Sequence, residues 1–346
     1  MNAYPPELDH LEEERPAAET APSGGAPSQP AVPTSQYWQQ QSQYWHQQSQ
    51  YWQQRSRPQG GNALGKLALA VSVLALAVSC AALFLVLRPE TERPPDEPGL
   101  TVEEPVTFRF GDRVMTPLEG MPLNPYDRAA FTVDGRGRVS YEKDGKRARM
   151  GVDVSKYQEE IDWPAVAADG IDFAILRLGY RGYTEGGLFM DQTFESNLQG
   201  ALDAGLDVGI YFFSQAITPE EAEAEAVFVL NAIGNQDLAC PIAFDWEPIS
   251  PGSAARTDGL DNNTLTRCAS AFCAKIQEAG YTPAVYFNQS LGYLRYDLRE
   301  LTGYALWLAE YDNKPDFYYH FDLWQYTHTG QVNGIQGNVD LDLDLR

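Results

Sequence analysis

MGVDVSKYQEEIDWPAVAADGIDFAILRLGY, residues 150–180, reads as a strand, a short helix and a second strand. Its outer runs, MGVDVS and DFAILRLGY, are apolar and β-branched over most of their length. That is the pattern of strands covered on both faces, and it favours a parallel sheet. The alternation continues toward the C-terminus. DQTFESNLQGALDAG (191–205) precedes DVGIYFFSQ (207–215), TPEEAEAEAVFVLNAIG (218–234) precedes CPIAFDWEP (240–248), and LTRCASAFCAKIQEAGY (265–281) precedes TPAVYFNQS (282–290). After a short LRYDLREL (294–301), the runs YALWLAEY (304–311), FDLWQYT (321–327) and GNVDLDLDL (337–345) follow with little helix between them. Eight strand candidates alternating with amphipathic helices predict an α/β fold, a TIM-like (β/α) barrel over residues 150–346 with reduced helices in its last third. Chemistry in such barrels gathers at the C-terminal ends of the strands.

Upstream of the barrel, residues 106–149 hold short β-type runs at 106–110 and 131–141, with turn signals at Asp134-Gly135 and Asp144-Gly145. They predict a small β-hairpin extension. Residues 67–87, LALAVSVLALAVSCAALFLVL, carry no charge, and 21 residues of helix match the bilayer core. This stretch reads as a single transmembrane helix. It starts too far from the N-terminus and is too long for a secretory signal. Arg55, Arg57 and Lys66 precede it, and Arg88 and Arg93 follow it. The small excess of positive charge places the N-terminus in the cytoplasm and the barrel outside the cell membrane. Residues 88–105, rich in Pro and Glu, then form a stiff linker. Residues 1–66 form a cytoplasmic tail carrying SQYW at Ser35, Ser42 and Ser49. Adjacent Tyr and Trp at period seven make no coiled-coil seam, so the plain reading is a disordered low-complexity tail and the sharper one an aromatic sticker segment for a cytoplasmic partner or for self-association.

Formal net charge is −23, and residues 150–346 hold 30 acidic against 10 basic side chains. Such a field repels a phosphate polymer, which excludes nucleic acid as a partner. Cys80 lies in the apolar run, leaving Cys240, Cys268 and Cys273. An odd number cannot all pair, and reduced buried thiols are expected. The four histidines, His10, His46, His320 and His328, have no spacing to a cysteine that would make a zinc site, and no metal or other cofactor is implied.

Four carboxylates, Asp153, Asp245, Glu247 and Asp340, fall at or near the ends of the first, fourth and eighth strands. In Phe244-Asp245-Trp246-Glu247 the period of two sends Asp245 and Glu247 to one side and Trp246 to the other. Two carboxylates held so close cannot both ionise freely, which suits one of them to act as an acid. Pro248 then ends the ladder. Glycoside hydrolysis needs such a pair, one carboxyl at the leaving oxygen and one at the anomeric centre. D-x-E by itself fits a solvated or metal-binding pair equally well. Tyr211, Tyr286, Trp307, Tyr311, Trp324 and Tyr326 lie on the third, fifth, sixth and seventh strands, where aromatic faces could stack on sugar rings; core packing is the plainer role for any one of them. Arg177, on the second strand, could orient a site carboxylate or make a structural ion pair.

GVDVSKYQ, IDFAILRLGY, the D-x-x-F-x-x-N-x-x-x-A-x-x-AGL run from Asp191, VGIYFFSQA, AFDWE, WLAEY, WQYT and GNVDLD together resemble the family 25 glycoside hydrolases, the Chalaropsis-type lysozymes. The resemblance spans essentially all of residues 150–346, and the segment from about Thr116 resembles the leader of clostridial-type members. It implies a peptidoglycan hydrolase that cuts the β-1,4 bond between N-acetylmuramic acid and N-acetylglucosamine. Glu247 would be the proton donor, Asp245 would stabilise the transition state or orient the substrate's acetamido group, and Asp153 and Asp340 would complete an acidic quartet that binds no metal. One position departs from the family pattern: Asp342 stands where Asn usually follows Asp340 by two. Two other readings fit the residues, a wall-binding scaffold without activity and a hydrolase of another acetamido-sugar polymer such as chitin.

Overall fold

The computed structural model describes residues 106–249 and 253–346. The tail, the apolar run and the linker expected over residues 1–105 lie outside the described residues; among those described, no helix is long and apolar enough to cross a membrane. The chain first forms two small antiparallel sheets. β1 (Phe108–Phe110) pairs with β2 (Arg113–Met115), and β3 (Phe131–Val133) pairs with β4 (Val139–Lys143), which pairs with β5 (Lys146–Arg147). The turn between β3 and β4 forms because Asp134 Oδ1 accepts from the backbone N–H of both Arg136 and Arg138, an Asx arrangement that replaces two solvent bonds. Both arginines then pair with Asp169.

This extension lies against residues 315–321. The backbone N–H of Leu118 donates to the Tyr319 hydroxyl at 2.8 Å, Tyr126 donates to the Phe321 carbonyl at 2.5 Å, and the ring of Phe108 stacks on Tyr318 at 4.2 Å.

Eight further strands close into the barrel: β6 (Arg149–Val154), β7 (Phe173–Arg181), β9 (Asp207–Ser214), β10 (Ile242–Trp246), β11 (Pro283–Asn288), β12 (Ala305–Ala309), β13 (Leu323–Gly330) and β14 (Val339–Asp344). Their spatial order follows the chain, and β6 pairs with both β7 and β14 to complete the ring. An additional short strand, β8 (Leu188–Met190), pairs antiparallel with the end of β7, which the sequence pattern did not indicate.

The barrel departs from an all-parallel TIM barrel in its last strand. β14 runs antiparallel to both β13 and β6. The connection over residues 331–338 is too short for the dozen or more residues that a parallel crossover needs, so the chain can only turn back as a hairpin. The reversal brings the beginning of β14, where Asp340 sits, level with the end of β6: Asp340 pairs with Asp153 across the two strands.

Helices cover the outside. α1 (Trp163–Ala168) begins on an Asp162 cap with proline in its first turn, and α2 (Phe194–Asp203) follows β8. α3 (Pro219–Ile233) starts with Thr218 capping the amide of Glu221 and acidic residues in its first turn, all favourable at the positive end of a helix. α4 (Asn262–Glu278) presents Leu265, Cys268, Ala269, Phe272, Cys273 and Ile276 to the sheet at three- and four-residue spacing. Cys240, Cys268 and Cys273 are free thiols, all buried. The last third carries only the six-residue α5 (Gln289–Leu294) and a 3-10 turn at Leu298–Leu301.

Period two divides each strand between two cores. Val152, Leu176, Ile210, Phe244, Val285, Leu308, Trp324 and Leu341 face outward to the helices and the extension, while Phe173, Ile175, Ala243, Ala284, Tyr286, Trp307 and Leu323 fill the barrel. Filling is tight enough that Gly151 is required: a Cβ there would stand 2.2 Å from the Phe173 ring.

Candidate active site

The inward residues near the C-terminal rim of the barrel are polar. From β6 comes Asp153, from β10 Asp245, from β11 Tyr286, from β12 Trp307, from β13 Gln325, and from β14 Asp340 and Asp342. Asp153 and Asp245 are 7% and 6% exposed, and Asp342 is fully buried. Asp245 is level with Tyr286 on one neighbouring strand and Phe213 on the other. Trp246 points outward, where Arg295 lies over its ring, and Glu247 follows it past the end of β10, partly open to solvent.

Burial first, and then the negative charges of Glu247, Asp245 and Asp153, push the Tyr286 hydroxyl well above the usual phenol range. Burial of its hydroxyl, then Asp340, Glu247 and Asp153, do the same for Tyr311. Tyr311 is 49% exposed as a residue, so it bridges the rim: its ring edge meets solvent while its hydroxyl turns inward. Register sets Asp340 beside Asp153 and Asp245 beside Tyr286, Gln325 joins Asp153 to both tyrosine hydroxyls, and Glu247 follows Asp245 at the end of β10, so the four carboxylates singled out in the sequence share one rim.

Those hydroxyls orient Gln325. Tyr286 donates to Gln325 Oε1 at 2.9 Å and Tyr311 to the same oxygen at 3.1 Å. With its oxygen occupied, the amide nitrogen of Gln325 faces Asp153 and donates to Oδ2 at 2.7 Å. Gln325 was not singled out in the sequence, although it sits inside the WQYT run. Trp307 is held edge-on to Tyr286, with ring centroids 4.9 Å apart, and donates its indole N–H to Asp342 Oδ1 at 2.8 Å. Tyr211 lines the same interior, edge-on to Trp307 at 6.3 Å.

Three expected substrate contacts lie elsewhere. Trp324 and Tyr326 alternate with Gln325 and so point out of the barrel. Trp324 is buried against Phe131 of the extension and donates to the Glu310 carbonyl, and Tyr326 packs beside it. Neither offers a face to a ligand in the mouth. Arg177 does point inward but is 4% exposed and spends its charge on Asp191, with Nε and Nη2 both 2.7 Å from Asp191 Oδ2. It makes the structural ion pair that was one of its two expected roles.

A second support acts on the backbone of the Glu247 segment. Gln215, fully buried at the end of β9, donates from Nε2 to the Glu247 carbonyl at 2.8 Å and accepts at Oε1 from Thr257 at 2.7 Å. Arg256 reaches the Gln215 carbonyl and Glu221, and Arg181 pairs with the buried Glu225 of α3. The loop after β10, the end of β9 and the start of α3 are thereby one hydrogen-bonded block behind Glu247. Replacing Gln215 by Leu removes both bonds while keeping similar volume. With Glu247 as the proton donor expected from the sequence, the Gln215→Leu variant should lose roughly 10- to 100-fold in kcat with little change in KM, because displacing such a group costs rate more than binding. Steady-state kinetics on a soluble glycan substrate would check it.

A barrel whose rim collects Asp153, Asp245, Glu247 and Asp340 above a plug of aromatic side chains defines an α/β-barrel protein with an acidic, ring-lined mouth. The chain belongs to the glycosyl hydrolases family 25, whose model matches residues 152–335, more than half of the sequence. Among curated proteins it is similar to the autolytic lysozyme of Clostridium acetobutylicum, 31% identical over 201 residues, covering 56% of this chain and 54% of that protein. It is also similar to lysozyme M1 of Streptomyces globisporus, 26% identical over 202 residues, covering 55% of this chain and 66% of the relative. The chain thus spans between about half and two thirds of these relatives' length. Among solved structures, the modular autolysin LytC of Streptococcus pneumoniae superposes with a TM-score of 0.48 at 25% identity, covering 64% of this chain and 57% of that one.

Proposed function

We propose that this chain is a peptidoglycan hydrolase that cleaves the β-1,4 bond between N-acetylmuramic acid and N-acetylglucosamine. The observation that carries the reading is the convergence of Asp153, Asp245, Glu247 and Asp340 on one barrel mouth in a family 25 chain. Glu247, the most open of the strand-end pair, protonates the leaving oxygen, and Asp245 beside it stabilises positive charge at the anomeric carbon. Asp153 and Asp340 position the sugar, Tyr211 and Tyr311 reach the mouth with ring faces and hydroxyls, and the buried Tyr286 and Trp307 support them from below. Similarity to two lysozymes supports the choice of substrate over chitin.

The uncharged run at residues 67–87 would anchor the enzyme in the cell membrane, with residues 1–66 and their SQYW repeats in the cytoplasm. The linker 88–105 and the extension 106–149 would then carry the barrel, residues 150–346, to nearby wall. This geometry favours local remodelling of the wall over long-range lysis.

The test is digestion of purified peptidoglycan by the full chain in detergent, followed by borohydride reduction and mass spectrometry of the new ends. Reduced muramic acid ends are expected. Reduced glucosamine ends would refute the bond assignment, and no new ends from a folded preparation would favour a wall-binding scaffold. Accessibility labelling of residues on either side of 67–87 in intact cells would check the orientation.

A further inference from the structure

Asp342 is a further inward carboxyl of the barrel, and unlike Asp344 at the other end of β14, which pairs with Arg149 and Arg346, it has no cationic partner among the described residues. It sits one inward position below Asp340 on β14, level with Gly151 and hence next to Asp153. The glycine leaves room for this approach, because a side chain there would already collide with Phe173. Asp342 is fully shielded from solvent, and its two oxygens differ. Oδ1 accepts from the Trp307 indole at 2.8 Å; Oδ2 is buried with no donor near it. The acidic neighbour of Asp342 on β6 is the Asp153 carboxyl, one inward position along from Gly151 and itself an acceptor from Gln325.

Two carboxylates side by side inside a barrel repel each other's charge, and burying an anionic oxygen without a donor is strongly unfavourable. One proton between them removes both penalties. Its place follows from the donors. Asp153 Oδ2 already accepts from an amide N–H whose orientation Tyr286 and Tyr311 fix, and Asp153 lies nearer to solvent. Asp342 is deeper and lacks a donor on one oxygen. Burial first, and then the charge of Asp153, push the Asp342 carboxyl well above the usual carboxylate range.

We propose that Asp342 carries this proton on Oδ2 and donates it as a hydrogen bond to Asp153, holding Asp153 ionised and aimed into the mouth. Asp342 is then a positioning residue for the reaction, acting through Asp153, and Trp307 is the anchor that fixes its rotamer. The role rests on reading Asp153 as part of the active site; the location of the proton does not.

Two variants of the full chain separate donor from shape. Asp342→Asn keeps an acceptor for Trp307 and an N–H for Asp153, so kcat is expected to stay within about twofold of wild type. Asp342→Leu keeps volume and loses the donor, and kcat is expected to fall roughly 10- to 100-fold with KM changed far less. Equal activity of a folded Asp342→Leu and Asp342→Asn would overturn the proposal. Infrared difference spectroscopy of wild type against Asp342→Asn at neutral pH tests the proton directly and does not depend on the leucine variant folding. Loss of a protonated-carboxyl C=O band on substitution is expected. Loss of an ionised-carboxylate band in its place would refute the assignment. If the wild type cut no peptidoglycan, the functional reading would fail while the infrared result still placed the proton.

Discussion

Glu247→Gln should lower kcat on peptidoglycan by roughly 10²- to 10⁴-fold, the range that loss of a positioned general acid costs. The amide matches the carboxyl in size and still donates hydrogen bonds, but it has no proton to give to the leaving oxygen. Binding should therefore survive, with KM within a few-fold, and the loss should fall on kcat, as expected for an interaction made in the transition state. The clamp from Gln215 grips the backbone carbonyl of Glu247 and not its side chain, so the substitution leaves the block behind it intact. Unfolding curves of the variant should overlay those of wild type. A Glu247→Gln variant with a tenth or more of wild-type kcat would mean that another carboxylate supplies the proton. Asp245, Asp153 and Asp340 would then have to be tested in turn.

Much of this site is legible as parity. The rule that sends Asp245 and Glu247 to one side of β10 places Asp153, Tyr286, Trp307 and Asp340 inside the barrel too, and the structure brings these together. Applied to β13, parity also turns Trp324 and Tyr326 outward once Gln325 faces in; grouping them with the other aromatics by chemistry alone hid that. The short connection over residues 331–338 carried the antiparallel return of β14 in its length, whereas the barrel pattern suggested a parallel strand. What no local pattern holds is the pairing of groups distant in the chain. Gln215 meets the Glu247 carbonyl 32 residues away, and Gln325 meets Asp153 172 residues away. Each is a polar side chain whose role exists only when the barrel is closed. The same holds for the extension, whose docking on residues 315–321 is carried by backbone groups and tyrosine hydroxyls that the sequence leaves unassigned.

Arg177→Met should destabilise the fold by about 3–5 kcal/mol, the cost of leaving one member of a buried ion pair without its partner. Asp191 is a hub: besides Arg177 it accepts from the backbone N–H of Lys156 at 3.1 Å, the backbone N–H of Thr193 at 2.9 Å and the Thr193 hydroxyl at 2.9 Å. It thus ties the end of β6 and the middle of β7 to the start of α2. Arg177 also lies over the rings of Tyr157 and Tyr180, at 5.1 and 5.8 Å, so methionine keeps part of the packing and loses the charge. Burial alone would raise the Asp191 carboxyl; Arg177 and the two amides outweigh it and hold the group below its usual range. A depressed folded-state pKa means that this contribution is full above the unfolded value, roughly pH 4, and is lost as pH falls through the lower folded value. Without Arg177 the dominant burial effect should act in the opposite direction, favouring the neutral acid and costing stability as pH rises above roughly 4. The gap between Arg177→Met and wild type should therefore be widest at neutral pH and narrow toward pH 4, read as urea unfolding free energies at the two pH values. KM of the folded fraction should stay at the wild-type value, because the guanidinium faces Asp191 and not the mouth. A raised KM with unchanged stability would return Arg177 to the substrate.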